Sequence, residues 1–241
     1  MIQNKEDMLT SIKQDLHRPV ISSHDYRWID RFDPQKSLFH GKAYRIAKRA
    51  MDLAIVILSS PLWLPVMSLI ALAIKLESWR DPVIFRQLRT GKGGQRFYMY
   101  KFRTMVANAE ELKVKYAHLN ELKWPDFKIS NDPRITRTGR LLRKTSLDEL
   151  PQLFNILRGE MSLVGPRPTS FGPETYRLWQ TERLDVMPGL TGLWQIVGRG
   201  STEFDDRLRM DIAYIERACL SLDFLILLRT VIAAIQRRGA L

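Results

Sequence analysis

The sequence predicts an α-rich, mixed α/β fold in three parts. These are a polar N-terminal arm (1–41), a basic lead-in with a re-entrant membrane helix (42–80), and a small globular domain with interfacial helices (81–241). Three observations support this division. Residues 53–74 form an uncharged apolar run interrupted by proline, two short alternating segments that follow it are typical of strands, and residues 203–239 carry two amphipathic helical patterns.

The composition limits the chemistry. The 241 residues carry a formal net charge of +12 and a sequence pI of about 10.0, so the chain attracts anions such as nucleic acid, anionic lipid or a phosphorylated substrate. The single Cys219 excludes an internal disulfide and disfavours a cysteine-based zinc site. Only His118 of the four histidines lies beyond residue 40, so acid–base or nucleophilic chemistry falls to carboxylates, lysine or tyrosine.

The arm over residues 1–41 is polar and of mixed charge. It lacks the basic-then-apolar pattern of a signal peptide. We expect weak order, one short helix near Glu6–Leu16, and no chemistry.

The apolar run from Leu53 to Ile74 has no charge in 22 residues, and about 20 apolar residues suffice to cross a bilayer. Ser60-Pro61 interrupts the run near its middle, and Pro65 follows. Basic residues flank both ends of the run: Lys42, Arg45, Lys48 and Arg49 before it, and Lys75, Arg80, Arg86 and Arg89 after it. Because lysine and arginine mark the cytoplasmic side, a helix that bends at Ser60-Pro61 and returns to the same face satisfies both flanks, and serine hydroxyls can bond the freed backbone groups. The alternatives are an ordinary crossing helix with a tolerated proline and a buried core helix.

Two strands are expected next. Residues 81–87 resemble a turn into a short strand, and the alternation over 96–103 predicts a strand or hairpin with Lys101 and Arg103 on one face. The glycine-rich loop between them lacks the spacing of a Walker motif. A solvated strand lysine is the alternative for Lys101.

Two adjacent carboxylates, Asp148 and Glu149, are predicted at the start of a helix, because Pro151 suits a first helical turn. A basic run precedes them: Arg134, Arg137, Arg140, Arg143 and Lys144. Such a pair would hold a divalent cation and attack phosphorus, with the helix N-terminus helping to bind a phosphate. The structural alternatives are a capping box between Ser146 and Glu149, or Asp148 as the N-cap.

Arginines in two loops are further candidates. Pro166-Arg167-Pro168 is rigid and would aim its guanidinium at an oxyanion, and Gly198-Arg199-Gly200 places another arginine on a flexible loop. Surface solubility is the alternative for both arginines. Residues 187–195 predict tight turns leading to a short strand.

Three more helices are predicted. Asn108–Lys123 has the pattern of a surface helix, and Glu203–Ala218 is amphipathic. Leu222–Gly239 is strongly apolar with a few arginines, which is typical of a helix in the membrane interface. A terminal helix that covers the core is the alternative.

Four motifs together resemble the bacterial sugar transferase family, the monotopic polyprenyl-phosphate phosphoglycosyl transferases. They occur in the family's order, and the resemblance covers residues 42–241. The motifs are Tyr100-Lys101-Phe102-Arg103-Thr104-Met105, Thr145-Ser146-Leu147-Asp148-Glu149-Leu150-Pro151-Gln152, Gly165-Pro166-Arg167-Pro168 and Pro188-Gly189-Leu190-Thr191-Gly192-Leu193-Trp194-Gln195.

The resemblance implies transfer of a sugar 1-phosphate from a UDP-sugar to polyprenyl (undecaprenyl) phosphate, with release of UMP, as the first membrane step of surface polysaccharide assembly. Asp148 would be the nucleophile, and Asp148 with Glu149 would hold Mg²⁺ or Mn²⁺. Lys101 and Arg143 would complete the catalytic set. The implied residues for substrate and phosphate binding are Arg103, Pro166, Arg167, Pro168 and Arg199.

The resemblance also places the protein on the cytoplasmic face of the bacterial inner membrane, with membrane lipid as a partner, and is compatible with a homodimer. Trp194 and the ending Arg237-Arg238-Gly239-Ala240 resemble the hexose-1-phosphate branch, whereas Gly200 departs from many relatives. No nucleic-acid partner is expected, because no pattern of basic and stacking aromatic residues occurs. A non-catalytic basic membrane adaptor is the alternative function.

Overall fold

The computed structural model describes residues 26–121, 129–197 and 204–235. Within these ranges the chain forms eight α-helices and four short strands. The helices are α1 (Gly41–Leu58), α2 (Ser60–Glu77), α3 (Ala109–Lys115), α4 (Arg137–Thr145), α5 (Gln152–Arg158), α6 (Leu193–Val197), α7 (Phe204–Glu216) and α8 (Leu220–Ile235). The strands are β1 (Ile84–Thr90), β2 (Arg96–Phe102), β3 (Ser162–Val164) and β4 (Gly189–Thr191). The α-rich, mixed α/β class is therefore confirmed.

Helices α1 and α2 meet at a break in the apolar run. Ser59 separates them, and its hydroxyl donates to the carbonyl of Ile55 at 2.6 Å and to that of Val56 at 3.3 Å. Pro61 lies in the first turn of α2, where its missing N–H costs no helical bond. The interruption expected at Ser60-Pro61 is present one residue earlier, and a serine hydroxyl bonds the backbone as expected.

Helix α2 has two apolar faces. Among the described residues, α2 is the one helix whose length and apolar composition would suffice to span a membrane. Its buried side chains recur every three or four positions: Trp63, Met67, Ile70 and Ile74. Large aliphatic side chains are exposed on the rest of its surface: Leu62, Leu64, Leu69, Leu72 and Leu76. One face therefore packs on the body, and the other remains apolar and open.

Residues on both sides of the apolar run contact the globular part of the protein. Arg49, near the middle of α1, donates to the last carbonyls of α5, at 2.6 Å to that of Ile156. At the end of α2, the carboxylate of Glu77 accepts from the backbone amides of Arg137 and Thr138 at 2.8 and 3.1 Å. These amides lie in the first turn of α4, so Glu77 satisfies donors that the helix itself leaves unpaired.

The strands form two small sheets. β1 and β2 are an antiparallel hairpin whose register pairs Phe85 with Lys101 and Arg89 with Phe97. Paired residues point to the same face of a sheet, and every second residue of a strand shares a face. Arg89 lies four residues after Phe85, the partner of Lys101, so Arg89 and Lys101 share a face. β3 and β4 pair in parallel. The strands predicted near residues 81–87, 96–103 and 187–195 are confirmed.

Buried polar groups fix these sheets in place. The fully buried Asn155 of α5 accepts from the backbone N–H of Tyr100 at 3.0 Å and donates to the carbonyl of Tyr98 at 2.8 Å. The amide therefore fastens β2, and with it Lys101, to α5. Where β3 ends, a Cβ on Gly189 would lie 2.1 Å from the backbone nitrogen of Gly165, so this close approach requires glycine.

Helix α8 has a polar anchor in an apolar setting. Asp223 is fully buried and accepts from the hydroxyls of Tyr44 and Tyr214 at 2.8 and 2.6 Å, and Lys48 forms an ion pair with it at 2.9 Å. Tyr44 and Lys48 belong to α1, so the anchor joins the lead-in helix to the C-terminal helices. Buried charges of this kind need such partners.

The two C-terminal helices match the prediction in place and amphipathicity, with residues 236–239 outside the described ranges. In α8, Leu222 and Ile226 are fully buried in the core, whereas Phe224, Leu228 and Val231 are exposed. One face therefore covers the core, as the alternative expected, and another presents apolar side chains outward, as an interfacial helix would.

Two predicted elements differ from the structure. The surface helix expected over 108–123 is shorter: α3 ends at Lys115, a 3₁₀ turn follows at Ala117–Leu119, and residues 122–128 lie outside the described ranges. The carboxylate pair precedes α5 rather than opening it, because Leu147–Glu149 is a separate 3₁₀ turn and α5 begins at Gln152.

The part of the N-terminal arm that is described packs on the body. Ile29 is fully buried, the Arg229 guanidinium lies 3.7 Å from the ring centre of Trp28, and Arg217 pairs with Asp30 at 2.9 Å. The short helix predicted near residues 6–16 lies outside the described residues.

Candidate active site

Three elements converge on one charged cluster. β2 contributes Lys101, the 3₁₀ turn between α4 and α5 contributes Asp148 and Glu149, and the loop after β3 contributes Arg167. All four side chains are partly buried, with exposed fractions of 13% for Asp148 and 28% for Arg167 at the extremes. Four of the charged residues predicted for the site thus meet in one partly buried cluster.

The turn that carries the carboxylates is set by Ser146. It ends α4 with φ 57°, the left-handed region, and is the one non-glycine residue in the described ranges with positive φ. Such a conformation is costly for serine and is found where surrounding structure imposes it. The Ser146 side chain caps no helix, and α5 has no side-chain cap at its start. Both capping explanations for the pair are therefore wrong.

Glu149 is held by two cations. Its Oε1 accepts from Lys101 Nζ at 2.8 Å and from Arg167 Nη2, and its Oε2 accepts from Arg167 Nη1 at 3.2 Å. The fork of Arg167 thus binds the carboxylate through both nitrogens, which fixes direction as well as charge. Both Glu149 oxygens are engaged.

Asp148 has a much looser environment. Its Oδ2 lies 3.9 Å from Lys101 Nζ, which is an ion pair without a hydrogen bond. Burial raises the pKa of Asp148 above its usual value, the neighbouring Glu149 charge also raises it, and Lys101, Arg143 and Arg167 lower it. Asp148 therefore carries the carboxylate of the pair that is available to a ligand.

The same surroundings act differently on Glu149. Burial raises its pKa, but Arg167 and Lys101 together hold that pKa far below the usual range. Burial likewise lowers the pKa of Arg167, and Glu149 raises it by more. Glu149 is consequently a fixed anion that orients two cations.

The other predicted arginines lie in three different places. Arg143 donates through Nε to Thr104 at 2.9 Å, and its charge acts on Asp148. Arg103 forms an ion pair with Asp81 at 2.8 Å, and no described contact links it to the carboxylate pair. Arg199 lies outside the described residues. The expectation for Arg199 stays a prediction.

The rigid Pro166-Arg167-Pro168 segment is fixed by its backbone. The Pro166 carbonyl accepts from the N–H of Gly189 at 2.9 Å, and the Pro168 carbonyl accepts from Arg89 Nη1 at 3.2 Å. The Arg167 carbonyl accepts from Nη2 of Arg183, which also donates to Asp211 at 2.8 Å. Each carbonyl of the segment therefore has its own donor.

Sequence reasoning missed three contributors to this site: Arg89, Asn155 and the buried pair of Arg183 with Asp211. Strand alternation carried a signal for Arg89, because it shares the parity of Lys101 once the hairpin register is known. Neither Asn155 nor the pair had a local signal, since their partners lie far away in sequence.

The donor set partly fits a magnesium ion. No cluster of three or more histidine, cysteine or acidic residues occurs in the described ranges. Mg²⁺ accepts one or two carboxylates with substrate phosphates and waters, and Asp148 has oxygens to offer. Glu149 can offer Oε2 as well, because that oxygen accepts one hydrogen bond, from Arg167 at 3.2 Å, and a carboxylate oxygen has two acceptor sites. Both predicted ligands, Asp148 and Glu149, therefore have an oxygen to offer a metal ion, and the metal site stays a prediction.

The charged cluster combines a hairpin lysine, an acidic pair in a turn with a left-handed residue, and an arginine between two prolines. Residues 43–237 match the family model of bacterial sugar transferases, which is most of the chain. The chain belongs to the bacterial sugar transferase family, as the resemblance implied.

Curated relatives support this membership. The chain is 43% identical over 208 residues to undecaprenyl-phosphate galactose phosphotransferase of Salmonella typhimurium, covering 83% of the chain and 42% of the relative. It is 39% identical over 206 residues to galactosyl transferase CpsE of Streptococcus agalactiae serotype III, covering 84% of the chain and 45% of the relative. It is 43% identical over 198 residues to UDP-glucose:undecaprenyl-phosphate glucose-1-phosphate transferase of Caulobacter vibrioides, covering 78% and 70%. The chain thus spans less than half the length of the first two.

Proposed function

We propose that this protein transfers a sugar 1-phosphate from a UDP-sugar to undecaprenyl phosphate and releases UMP, in the assembly of a surface polysaccharide. The names of the Salmonella and Caulobacter relatives state this class of reaction with galactose and with glucose. A hexose 1-phosphate is accordingly the expected group.

One observation carries the proposal. Asp148 keeps a carboxylate free of hydrogen bonds beside Lys101, while the adjacent Glu149 binds both Lys101 and Arg167. A carboxylate nucleophile needs free oxygens, and the attacked phosphate needs cations around it. The paired residues divide these two tasks.

The chemistry follows from that division. A carboxylate oxygen of Asp148 attacks the β-phosphorus of the UDP-sugar, and the bond between that phosphorus and the bridging oxygen breaks. UMP leaves with the electron pair, and the sugar phosphate remains bound to Asp148. A phosphate oxygen of the polyprenyl carrier then attacks the same phosphorus and displaces the carboxylate. Lys101, Arg143 and Arg167 stabilise the charge on the phosphate oxygens in both steps.

Mg²⁺ or Mn²⁺ is proposed as the cofactor, held by Glu149 and by one oxygen of Asp148 together with substrate phosphates, which leaves the second Asp148 oxygen to attack. It would supply charge neutralisation on the diphosphate. We expect UMP release to stop in excess chelator and to return on addition of Mg²⁺. Full activity in chelator would rule out the metal.

The broken helix is proposed to enter the membrane and return, which places the site at the cytoplasmic face of the inner membrane. Supporting this, Arg49 before the apolar run and Glu77 after it both contact the body that carries the site. A crossing helix would carry one of them to the opposite side. The exposed leucines of α2 and the exposed face of α8 supply an apolar surface for lipid.

The nucleophile is tested with Asp148→Asn. This change keeps the side-chain shape but removes the attacking oxygen, so UMP release from UDP-galactose or UDP-glucose should be abolished while the protein folds and stays in the membrane fraction. The exposed Asp185→Asn serves as the matched control and should retain parent activity.

Near-normal UMP release by Asp148→Asn would contradict the nucleophile assignment. A parent protein that releases no UMP from any UDP-sugar, with or without undecaprenyl phosphate, would favour the alternative of a non-catalytic membrane adaptor.

A further inference from the structure

Arg89 is a largely buried cation without a carboxylate partner. Its Nη1 donates to the Pro168 carbonyl at 3.2 Å, its Nη2 donates to the side-chain oxygen of Gln87, and its Nε is buried with no hydrogen-bond partner in the described residues. Within the described ranges, every ion pair of the site uses Lys101 or Arg167 instead. Both partners of Arg89 are neutral oxygens.

The surroundings of Arg89 are themselves cationic. Burial lowers the pKa of Arg89 to about 10, Arg167 and Arg96 also lower it, and Glu149 opposes them. The guanidinium still carries its charge at neutral pH. Buried charges are ordinarily paired, because removing an ion from water without a partner is unfavourable. Among the described residues, Arg89 lacks a carboxylate within ion-pair distance and its guanidinium is surrounded by neutral oxygens, which indicates a place where an anion can bind.

The position of Arg89 relative to the carboxylate pair fits this role. The hairpin register places it on the face of Lys101, and its hydrogen bond attaches it to the residue after Arg167. Arg89 therefore lies next to the loop whose Arg167 binds Glu149.

The charge balance points the same way. The charged groups that act on Asp148 and Arg89 are two carboxylates and five cations, which leaves an excess of +3; the cations are Lys101, Arg143, Arg167, Arg96 and Arg89 itself. A diphosphate or a phosphate monoester, each carrying about two negative charges, would offset most of this excess.

We propose that Arg89 binds a phosphate group of the substrates through its guanidinium, next to the loop that carries Arg167. The inference rests on the proposed function for the identity of the ligand. Two sources share this chemistry: the diphosphate of the UDP-sugar and the phosphate of the polyprenyl carrier. A guanidinium fork suits either, because two N–H groups can bind two phosphate oxygens in one plane.

A purely structural role is the competing explanation, since Arg89 also bonds the backbone of the rigid loop. Two substitutions separate the roles. Arg89→Lys keeps the charge and loses the fork, whereas Arg89→Gln keeps an amide donor for the Pro168 carbonyl and loses the charge. Arg86→Gln is the matched control, because Arg86 is exposed three pairs away on the opposite face of the same strand.

Binding is measured first, with the purified full chain in lipid nanodiscs titrated with inorganic pyrophosphate and with UMP. We expect Arg89→Gln to weaken pyrophosphate binding about tenfold or more, Arg89→Lys to weaken it less, and Arg86→Gln to leave it unchanged. Equal losses for Arg89→Gln and Arg89→Lys, or no loss for either, would overturn the inference. A parent chain that binds neither anion would overturn it as well.

Kinetics then identify the source of the phosphate. A raised KM for the UDP-sugar in Arg89→Gln assigns Arg89 to the nucleotide diphosphate, and a raised KM for undecaprenyl phosphate assigns it to the carrier. Parent values for both constants would count against the inference. Because the pyrophosphate titration needs no turnover, absence of UMP release in the parent would refute the proposed function without deciding the role of Arg89.

Discussion

The two neighbouring carboxylates of the site have different electrostatic surroundings although they are adjacent in the chain. Glu149 accepts hydrogen bonds on both oxygens, while Asp148 lies 3.9 Å from Lys101 Nζ and bonds nothing else that is described. Hydrogen bonds and close cations stabilise a carboxylate anion but also reduce its nucleophilicity, so the free carboxylate is the better nucleophile.

This difference predicts the pH dependence of UMP release. In the proposed mechanism Asp148 must be ionised to attack, and burial raises its pKa, so we expect activity above that pKa and its loss as pH falls through it. Replacing Glu149 with Gln removes a charge that raises the pKa of Asp148, so the acid limb of kcat should move to lower pH. Lys101→Gln removes a charge that lowers it, so the limb should move to higher pH.

Residual kcat measured against pH in the two variants checks this prediction, with the exposed Asp185→Asn as the unshifted control. Shifts in the same direction for Glu149→Gln and Lys101→Gln would contradict the electrostatic account of Asp148.

At the scale of elements, the site depends on α7 although no α7 side chain enters the charged cluster. Asp211 of α7 and Arg183 form a pair whose side chains are at most 5% exposed, and Arg183 also donates to the Arg167 carbonyl. The pair thereby links α7 to the loop that aims Arg167 at Glu149. We regard Arg183 and Asp211 as positioning residues.

Removing one partner of this pair should be costly. Asp211→Ala leaves the Arg183 guanidinium buried and unpaired, so we expect a loss of about 3–5 kcal/mol in the free energy of unfolding. Arg209→Ala is the control on the same helix, because the Arg209–Asp206 pair is long (3.7 Å) and Arg209 is 54% exposed. Arg209→Ala should lower the free energy of unfolding by no more than about 1 kcal/mol.

Thermal unfolding of both purified variants, measured in one and the same detergent solution, compares their stabilities. The isosteric Asp211→Asn retains a hydrogen-bond acceptor and should fold, but with lower kcat, because Arg167 is held less firmly. Equal stability losses for Asp211→Ala and Arg209→Ala would show that the buried pair does not support the fold.

The elements themselves differ in how far the sequence could predict them. The hairpin follows from local alternation, and the helix break follows from Pro61, because both signals act over a few residues. The sequence predicts that the carboxylate pair opens a helix, whereas α5 begins at Gln152. Pro151 is equally compatible with the end of a 3₁₀ turn and with the start of an α-helix. Arg103 was expected beside Lys101 but pairs with Asp81, because β2 ends at Phe102 and alternation stops there.

The contacts that assemble the site were beyond sequence reasoning from spacing alone. Glu149 lies 48 residues from Lys101 in sequence, and Asn155 lies 55 residues from the Tyr100 amide that it binds. Such pairings depend on how α5 packs against the hairpin. The family resemblance supplied the grouping of Lys101 and Asp148, and the structure adds that Glu149 links Lys101 to Arg167.

For the whole molecule, charge and apolar surface combine in one arrangement. The formal charge of +12 suits an anionic membrane surface, and the exposed apolar faces of α2 and α8 suit its interior and its interface. Arg49 and Glu77 attach the two ends of the broken segment to the body. The arrangement favours a protein that lies on one leaflet.

The side of the membrane on which Lys42 lies decides between a returning and a crossing segment. If the chain dips and returns, residue 42 stays on the side of the site, and Lys42→Cys in a Cys219→Ser background should not react with an impermeant thiol reagent added outside intact spheroplasts. Removing the bend with Pro61→Leu and Pro65→Leu would allow a continuous apolar helix of about 33 Å at 1.5 Å per residue, long enough to cross. Some of the protein should then be labelled at residue 42 from outside. The labelling should be partial, because a crossing breaks the contacts of Arg49 or Glu77. Val66→Leu, which alters an apolar side chain of α2 but keeps both prolines, should label like the parent. Outer labelling of Lys42→Cys without the proline substitutions would make the segment a true crossing and would place the lead-in of α1 on the side that its basic residues disfavour.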